Sequence, residues 1–277
     1  MLHLAAPSLA SADLANRGFA VAPQPVISST QAELLATACR DRLESLLAVI
    51  EAMGYDATEQ SYQFSEVCHR QRLRWDMRPS FDNDVNEAWD AMCAAALTTA
   101  TPIIRGAVGD DLLEPQIVMS GAVLSRPRCG AQAFHADGSD AHYAAADANP
   151  CHRLFTCFVP LVDIAHDGDG TQFWVGSHQG AGHAAARRGL APDGTLRAAA
   201  TATAPLEAPA CRAGGMLMFD YRVMHRGLGS VGRERPVAYV VCGIGGAFDG
   251  DNFPQMSLED ASPLYVDHTP TWDEQDE

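Results

Sequence analysis

The sequence AGGMLMFDYRVMHRGLGSVGRERPVAYVV, residues 213–241, contains two apolar segments on either side of a polar, glycine-rich loop. Apolar and β-branched runs that are bounded by glycine and charged residues are typical of β-strands. The first run ends at His225 and the second begins at Arg235. This stretch therefore predicts two strands, with a histidine and an arginine at the ends that the loop joins.

Segments upstream of this stretch have the same pattern of apolar runs bounded by turn-forming residues. Further strands are predicted at PQIVMSGAVLS (115–125), QAFHAD (132–137), RLFTCFVPLVD (153–163) and TQFWVGS (171–177). Many strands with no helix-length periodic segment between most of them favour a barrel or a sandwich. We therefore predict a mainly β core over about 114–247, interrupted by an insertion loop at 179–210.

The first part of the chain predicts helices. A short strand, GFAVA (18–22), precedes a helix that begins at Ser29, has apolar residues at a spacing of three to four, and closes at Gly54. A second helix is predicted at about 85–100. The basic segment HRQRLRWDMRPSFDND (69–84) between them is predicted to be an ordered surface segment or a lid. Together these features predict a single domain, 1–277, with helical support over about 12–113.

Composition excludes several kinds of chemistry. The chain has 277 residues and a formal net charge of −16, and all 19 of its basic residues are arginine. Without a lysine there is no Schiff base, no pyridoxal phosphate anchor and no Walker-type phosphate loop. The negative charge disfavours nucleic acid and anionic membranes as partners. We expect a small-molecule partner, possibly anionic, and a monomer or homodimer.

The cysteines and the absence of recognisable sorting signals indicate the cellular location of the protein rather than its chemistry. The eight cysteines contain no C-x-x-C pair, so they predict reduced structural thiols rather than a zinc or redox motif. No apolar run approaches the roughly 20 residues of a membrane helix, and no secretory leader is recognisable. We therefore expect a cytoplasmic protein.

A candidate metal site begins with His135-Ala136-Asp137, which is the single H-x-D in the sequence. On a strand, residues i and i+2 point to the same face and can reach one metal ion. Ten histidines and 35 acidic residues in 277 positions make about one H-x-[D/E] expected by chance, so context decides. His225 provides that context, because two histidines and a carboxylate form the facial triad of non-haem iron(II) oxygenases. Arg235 is suited to bidentate capture of a carboxylate.

From about Gln132 to Val241 the sequence resembles the phytanoyl-CoA dioxygenase-like family of iron(II)- and 2-oxoglutarate-dependent oxygenases. QAFHAD resembles the segment with the first two metal ligands, and residues 213–241 resemble the segment with the third ligand and the 2-oxoglutarate arginine. The resemblance implies a double-stranded β-helix (jelly-roll, cupin-like) core. It also implies Fe(II), the cosubstrate 2-oxoglutarate and O2, with metal ligands at His135, Asp137 and His225.

The same resemblance assigns further roles. It implies that Arg235 binds the distal carboxylate of 2-oxoglutarate, and Phe158 and Gln132 are weaker candidates for the cosubstrate pocket. A carboxylate at Asp137 favours hydroxylation over halogenation, since halogenases of this fold have a small residue there. Two positions depart from the family pattern: Val175 replaces a usual proline, and Gly227 stands where some relatives have a hydroxyl that contacts the cosubstrate.

For several other residues the sequence allows either a role in the site or a purely structural role. Asp140 and His142 are a nearby pair that could compete as ligands, although solvated loop residues are the commoner case. His178 is more often structural in such a loop. Arg74 and Trp174 are substrate-site candidates, and the arginines from Arg70 to Arg78 either bind an anionic substrate or lie on a solvated surface.

The function expected from the sequence is hydroxylation of a small organic molecule, such as an amino acid, a lipid-derived acid or a natural-product intermediate, with release of succinate and CO2. Desaturation, epoxidation and ring closure use the same site. A rival prediction is a cupin-like metal-dependent protein that binds or isomerises a metabolite without oxygen chemistry, and another is a non-catalytic ligand-binding relative.

Overall fold

The structure is a computed structural model that describes residues 8–138, 140–165, 168–197, 200, 204–230, 232–250 and 255–261. Its elements in chain order are α1 (Leu9–Arg17), β1 (Phe19–Val21), α2 (Ser29–Ala52), β2 (Val67–Gln71), β3 (Arg74–Met77), α3 (Asn83–Val108), β4 (Gln116–Ser125), α4 (Asp140–Ala148), β5 (Arg153–Pro160), β6 (Thr171–Trp174), α5 (Gly180–Gly189), β7 (Leu206–Glu207), β8 (Leu217–Asp220), β9 (His225–Gly227) and β10 (Arg235–Ile244).

Two antiparallel sheets form the core. The larger has seven strands in the order β1-β8-β5-β10-β4-β3-β2, and the smaller has three in the order β7-β6-β9. The long strand β10 lies between β4 and β5, with Arg235 opposite Ser125 at one end and Val241 opposite Met119 near the other. This is the mainly β core with flanking helices that the sequence predicts, and it places the strand that begins at Arg235 in the middle of the larger sheet.

The helical layer packs against the larger sheet because each long helix has an apolar face. Helix α2 begins with a capping box, in which the Ser28 hydroxyl accepts from the Gln31 amide and the Gln31 side chain accepts from the Ser28 amide. Its buried residues join one core cluster with those of α3 and the sheet, including Leu43, Met92 and Val240. The N-terminal helical layer is therefore confirmed.

Helix α3 is long and apolar enough to span a membrane by composition, with a mean hydropathy of 1.3 over its most apolar window. Its residues Trp89, Met92 and Ala96 are buried in the core cluster shared with α2. The apolar character of α3 is therefore what a core helix needs, and it does not indicate a membrane protein. The cytoplasmic location stays a prediction.

The structure corrects the interpretation of the basic segment 69–84. Most of it forms the β2–β3 hairpin at the edge of the larger sheet, and Arg74, Trp75 and Met77 are at most 2% exposed. Its arginines concealed the strand, because a buried arginine breaks the alternation of apolar and polar residues from which strands are predicted. The hairpin is part of the core and not a lid.

Other boundaries also differ from the prediction. The segment 179–210 is not simply a loop, since it contains α5 and β7, although residues 198, 199 and 201–203 lie outside the described part. Helices α1 and α4 have no strong apolar periodicity and were not predicted. QAFHAD contributes a single bridge at His135, and the apolar run 215–225 divides into β8 and β9 around a turn.

Candidate active site

The two histidines of the predicted triad are held together by main-chain hydrogen bonds. The His135 amide donates to the His225 carbonyl at 2.9 Å, and the His225 amide donates to the His135 carbonyl at 2.7 Å. This antiparallel bridge places the two ring centroids 4.5 Å apart. Residues 90 positions apart in sequence thus form one site because a short extended segment pairs with β9.

Main-chain carbonyls fix the orientation of both rings. Nδ1 of His135 lies 2.9 Å from the carbonyl oxygen of Ala133. Nδ1 of His225 lies 3.0 Å from that of Val223. Since a carbonyl only accepts, each Nδ1 carries a proton and each Nε2 keeps a lone pair for a metal. Burial and the neighbouring His225 lower the pKa of His135 to about 4, which keeps this ring neutral.

Asp137 completes the cluster. Its amide donates to the Tyr221 carbonyl at 3.0 Å, and its Oδ2 accepts from the Thr156 hydroxyl at 3.2 Å. Its Oδ1 lies 3.6 Å from Nε2 of His225. Potential ligand atoms of His135, Asp137 and His225 all lie within 4.8 Å of one another. Two imidazoles and one carboxylate with open positions are the donor set that suits Fe(II).

A group of ion pairs around Asp220 stabilises the turn that precedes His225. Asp220, at the end of β8, is fully buried and accepts from Arg222 Nε at 3.0 Å and from Arg153. Burial alone would raise the pKa of Asp220, but the charges of Arg153 and Arg222 outweigh it and hold the pKa well below its usual range. The turn that follows supplies the Tyr221 carbonyl, which accepts from the Asp137 amide, and the Val223 carbonyl, which orients the His225 ring.

We expect Asp220→Asn to lower the free energy of unfolding by about 3–5 kcal/mol, since it leaves the charge of Arg153 largely uncompensated. Because the folded-state pKa of Asp220 is depressed, its stabilising effect is complete above about pH 5 and declines as the pH falls through the unfolded value near 3.9. Urea denaturation at pH 7 and pH 3 measures this effect. The difference between variant and wild type should be larger at pH 7.

Asp147→Asn is the matched control, because the Asp147 carboxylate also pairs with Arg222 but its side chain is 62% exposed. Its loss should cost less than about 1 kcal/mol. Equal effects of the two substitutions, or no dependence on pH for Asp220→Asn, would contradict the structural role of Asp220.

The cluster opens into a cavity of about 650 Å³ that residues of both sheets line. Along β10 every second side chain faces it, namely those of Arg235, Val237, Tyr239 and Val241. This alternation is that of a regular strand. The cavity therefore extends from the metal cluster along β10 to Arg235.

Arg235 lies at one end of this cavity with an unused donor. It is 5% exposed, and its Nη2 donates to the Leu228 carbonyl at 2.9 Å. Its buried Nη1 has no hydrogen-bond partner within the described residues. Burial and the adjacent charge of Arg74 lower the pKa of Arg235 to about 10. A buried guanidinium with an orphaned N–H and a second cation beside it fits the distal carboxylate of a dicarboxylic acid.

Arg74 lies beside Arg235 rather than at a separate substrate position. It is 1% exposed and donates to the Ser125 hydroxyl at 3.0 Å and to the Leu228 carbonyl at 2.8 Å. In the part of the chain that the structure describes, neither arginine has an ion-pair partner. A Cβ at Gly227 would meet Nη1 of Arg74 and Oε1 of Gln132 at 2.8 Å each, so a larger residue there would require both side chains to shift.

The weaker candidates separate into two groups. Gln132 and Phe158 line the cavity; Oε1 of Gln132 accepts from the Gly227 amide at 3.0 Å, and the Phe158 ring packs edge-on against Phe219. Trp174 is not among the lining residues and packs in an apolar cluster with Phe134 and other side chains. The structure thus gives Trp174 no contact with the cavity.

His142 and His178 also lie outside the metal cluster. His142 is buried in α4 with its ring packed edge-on against Tyr221, and His178 Nε2 donates to the Ala15 carbonyl at 3.0 Å. Neither belongs to the group of potential metal ligands found among the described residues. The side chain of Asp140 lies outside the described part of the structure.

Three residues that line the cavity are not predicted from the sequence: Thr156, Asp76 and Tyr239. Tyr239 was within reach, because it stands four residues after Arg235 in an alternating strand. Thr156 and Asp76 have no such signal, since their contacts depend on how remote strands pair.

Comparison with known proteins agrees with this geometry. The family model described as phytanoyl-CoA dioxygenase (PhyH) matches residues 32–234. This chain belongs to the phytanoyl-CoA dioxygenase family. The match includes the three residues of the metal cluster and ends one position before Arg235, so the placement of Arg235 in the site rests on the structure. Comparison with curated proteins gives no match.

Solved structures with the same fold include three that cover most of this chain. They are AviO1 from Streptomyces viridochromogenes Tue57 (18% identity, TM-score 0.54, 86% of this chain and 95% of that one), HygX from Streptomyces hygroscopicus with nickel and 2-oxoglutarate bound (16%, 0.53, 84% and 85%), and SnoN, a non-haem α-ketoglutarate-dependent epimerase from nogalamycin biosynthesis (18%, 0.52, 95% and 92%). At these identities the likeness establishes the fold, including the cupin-like core.

Membership of the phytanoyl-CoA dioxygenase family makes this chain an enzyme of the 2-oxoglutarate-dependent oxygenase type, for which Fe(II), 2-oxoglutarate and O2 are the metal, cosubstrate and oxidant. The residues present fit them. The imidazole–carboxylate cluster suits the metal, and the orphaned N–H of Arg235 suits a carboxylate.

Proposed function

We propose that the protein is an iron(II)- and 2-oxoglutarate-dependent hydroxylase of a small organic molecule, with succinate and CO2 as coproducts. The observation that supports this most strongly is the shared cavity, which joins an oriented two-histidine, one-carboxylate cluster to a buried arginine with an unused donor. An amino acid, a lipid-derived acid or a natural-product intermediate is the class of substrate we favour.

His135, Asp137 and His225 would hold the iron. Bound iron together with 2-oxoglutarate supplies the activation of O2 that oxidises a substrate C–H bond. The chain orients the ligands in advance, because the carbonyls of Ala133 and Val223 fix the rings and Thr156 fixes the carboxylate. Preorganised partners of this kind maintain affinity and geometry at a metal centre.

The cosubstrate would lie along β10. Arg235 would bind its distal carboxylate through Nη1, with the charge of Arg74 beside it. Phe158 and Val237 line the path between that end and the cluster and would exclude water from it. Shielding from water strengthens the ion pair and protects reactive species from side reactions.

Cavity size supports a small substrate. Pockets for drug-sized ligands measure roughly 300–1,000 Å³, and this cavity of about 650 Å³ must also hold the cosubstrate. The carboxylate at Asp137 favours hydroxylation over halogenation. A small-molecule partner, a monomeric or homodimeric state and a cytoplasmic location are parts of the same proposal.

Product mass tests the hydroxylation. We expect the enzyme, loaded with Fe(II) and 2-oxoglutarate and screened in air against small organic acids and natural-product intermediates, to form succinate faster with its substrate. The product should gain the mass of one oxygen atom and carry it as a hydroxyl group by NMR, since an epoxide has the same mass. A loss of two hydrogens would indicate desaturation or ring closure, and an unchanged mass would indicate epimerisation; either result would contradict hydroxylation while retaining the oxygenase class.

A further inference from the structure

A second polar group lies at a different depth from Arg235, and three of its members, Arg70, Asp76 and Tyr239, line the cavity. Asp76, on β3, accepts from Arg70 Nη2 at 3.0 Å and from the Tyr239 hydroxyl at 2.8 Å, and lies 3.5 Å from Arg78 Nη1. Tyr239 is four residues along β10 from Arg235, which corresponds to about 13 Å between their Cα atoms. We call Arg70, Asp76, Arg78 and Tyr239 the second cluster.

The cavity wall carries an excess of positive charge. Asp76 pairs with both Arg70 and Arg78, and burial raises the pKa of Tyr239, so the phenol stays neutral. Across the whole cavity four arginines face three aspartates. In a chain with a formal net charge of −16, this local excess is opposite to the protein's overall field. A cavity with such a wall favours an anion over a neutral or cationic molecule.

A β-bulge directs Arg70 into the cavity. The pairing of β2 with β3 shifts register between His69 and Gln71. Arg70 and Gln71 consequently both line the cavity, although neighbouring residues of a regular strand face opposite sides. Bulges of this kind re-aim side chains near active sites. Tight packing holds the arrangement, since a Cβ at Gly121 would meet the Tyr239 hydroxyl oxygen at 2.4 Å.

One edge of the Arg70 guanidinium remains available. Nε and Nη2 both donate to Oδ2 of Asp76, at 3.3 and 3.0 Å. Nη1 has no partner in the described ranges, and the Arg70 side chain is 30% exposed. The end-on edge, with one N–H from each Nη nitrogen, matches the two oxygens of a carboxylate.

We infer that the substrate of this enzyme carries a carboxylate and that Arg70 binds it, at a position separate from the cosubstrate site at Arg235. The inference rests on the proposed function, because it assigns the second anion position of the same cavity to the substrate. Asp76 serves as a positioning residue for Arg70, and the apolar side chains of Met119, Val123 and Val241 line the cavity for the rest of the substrate.

Binding of a matched acid and amide tests the assignment. The probes are hexanoate and hexanamide, titrated by calorimetry under anaerobic conditions into protein loaded with Fe(II) and saturating 2-oxoglutarate, which occupies the Arg235 end. Wild type should bind hexanoate at least about tenfold more tightly than hexanamide. Arg70→Gln should abolish this preference, and Arg70→Lys should restore part of it because it keeps the charge.

Arg72→Gln is the control, because Arg72 lies in the same hairpin but pairs with Glu59 and does not line the cavity. It should retain the wild-type preference. Arg70→Gln should fold, since Asp76 keeps Arg78 and Tyr239 as partners, and circular dichroism checks this.

Three results would overturn the inference. The first is the absence of an acid preference in wild type, and the second is its persistence in Arg70→Gln. The third is a loss of 2-oxoglutarate affinity in Arg70→Gln as large as the loss for hexanoate, which would assign Arg70 to the cosubstrate. Failure of the proposed function is distinguishable, because it appears as the absence of iron-dependent succinate formation in wild type whatever the probes do.

Discussion

Replacing His225 with alanine is expected to weaken Fe(II) binding by more than about 100-fold while the chain stays folded. Loss of an outer partner of a metal ligand already costs about 10- to 100-fold, and this substitution removes the ligand itself. The fold should survive because the bridge between His135 and His225 uses only main-chain atoms. Anaerobic metal titration with circular dichroism as the check on folding measures both quantities. His135→Ala and Asp137→Ala should behave alike.

His152→Ala is the control for this experiment, because His152 contacts the Gly245 carbonyl away from the cluster. It should bind iron as wild type does. A His225→Ala protein that kept its iron affinity or full activity would contradict the assignment of the metal site.

Replacing Arg235 with alanine is expected to raise the concentration of 2-oxoglutarate needed for half-maximal binding by about 10- to 100-fold, since a charge-assisted hydrogen bond is worth roughly 1.5–3 kcal/mol. Iron affinity should stay near that of wild type, because Arg235 contacts none of the three cluster residues. Calorimetry of 2-oxoglutarate binding to the metal-loaded protein measures the change.

Arg233→Ala is the matched control, since Arg233 is two residues away but pairs with Asp169 outside the cavity. It should leave 2-oxoglutarate binding unchanged. If Arg235→Ala lost iron affinity alone and kept its cosubstrate affinity, the arginine would be misassigned.

The metal cluster could be predicted from sequence because its signals are local. His135 and Asp137 lie two residues apart, and His225 stands ten residues before an arginine that opens an alternating strand. The resemblance to a known family joined these pieces. The mainly β core followed from the same apolar runs.

The second cluster could not be predicted in the same way. Arg70 faces the cavity because of a bulge, and a bulge depends on how two strands pair. Arg74 is buried among neutral hydroxyl and carbonyl oxygens beside another cation, which sequence patterns treat as improbable. Helix α5, with its run of alanines, has no apolar stripe long enough to be recognised as a helix.

The most direct test of the central claim is succinate formation without any added substrate. Protein loaded with Fe(II) under anaerobic conditions is given 2-oxoglutarate and then O2. We expect slow succinate release that requires iron and oxygen together and that is lost in His225→Ala. No succinate from protein that demonstrably holds iron and 2-oxoglutarate would contradict the assignment to the oxygenase class and favour a cupin-like protein without oxygen chemistry.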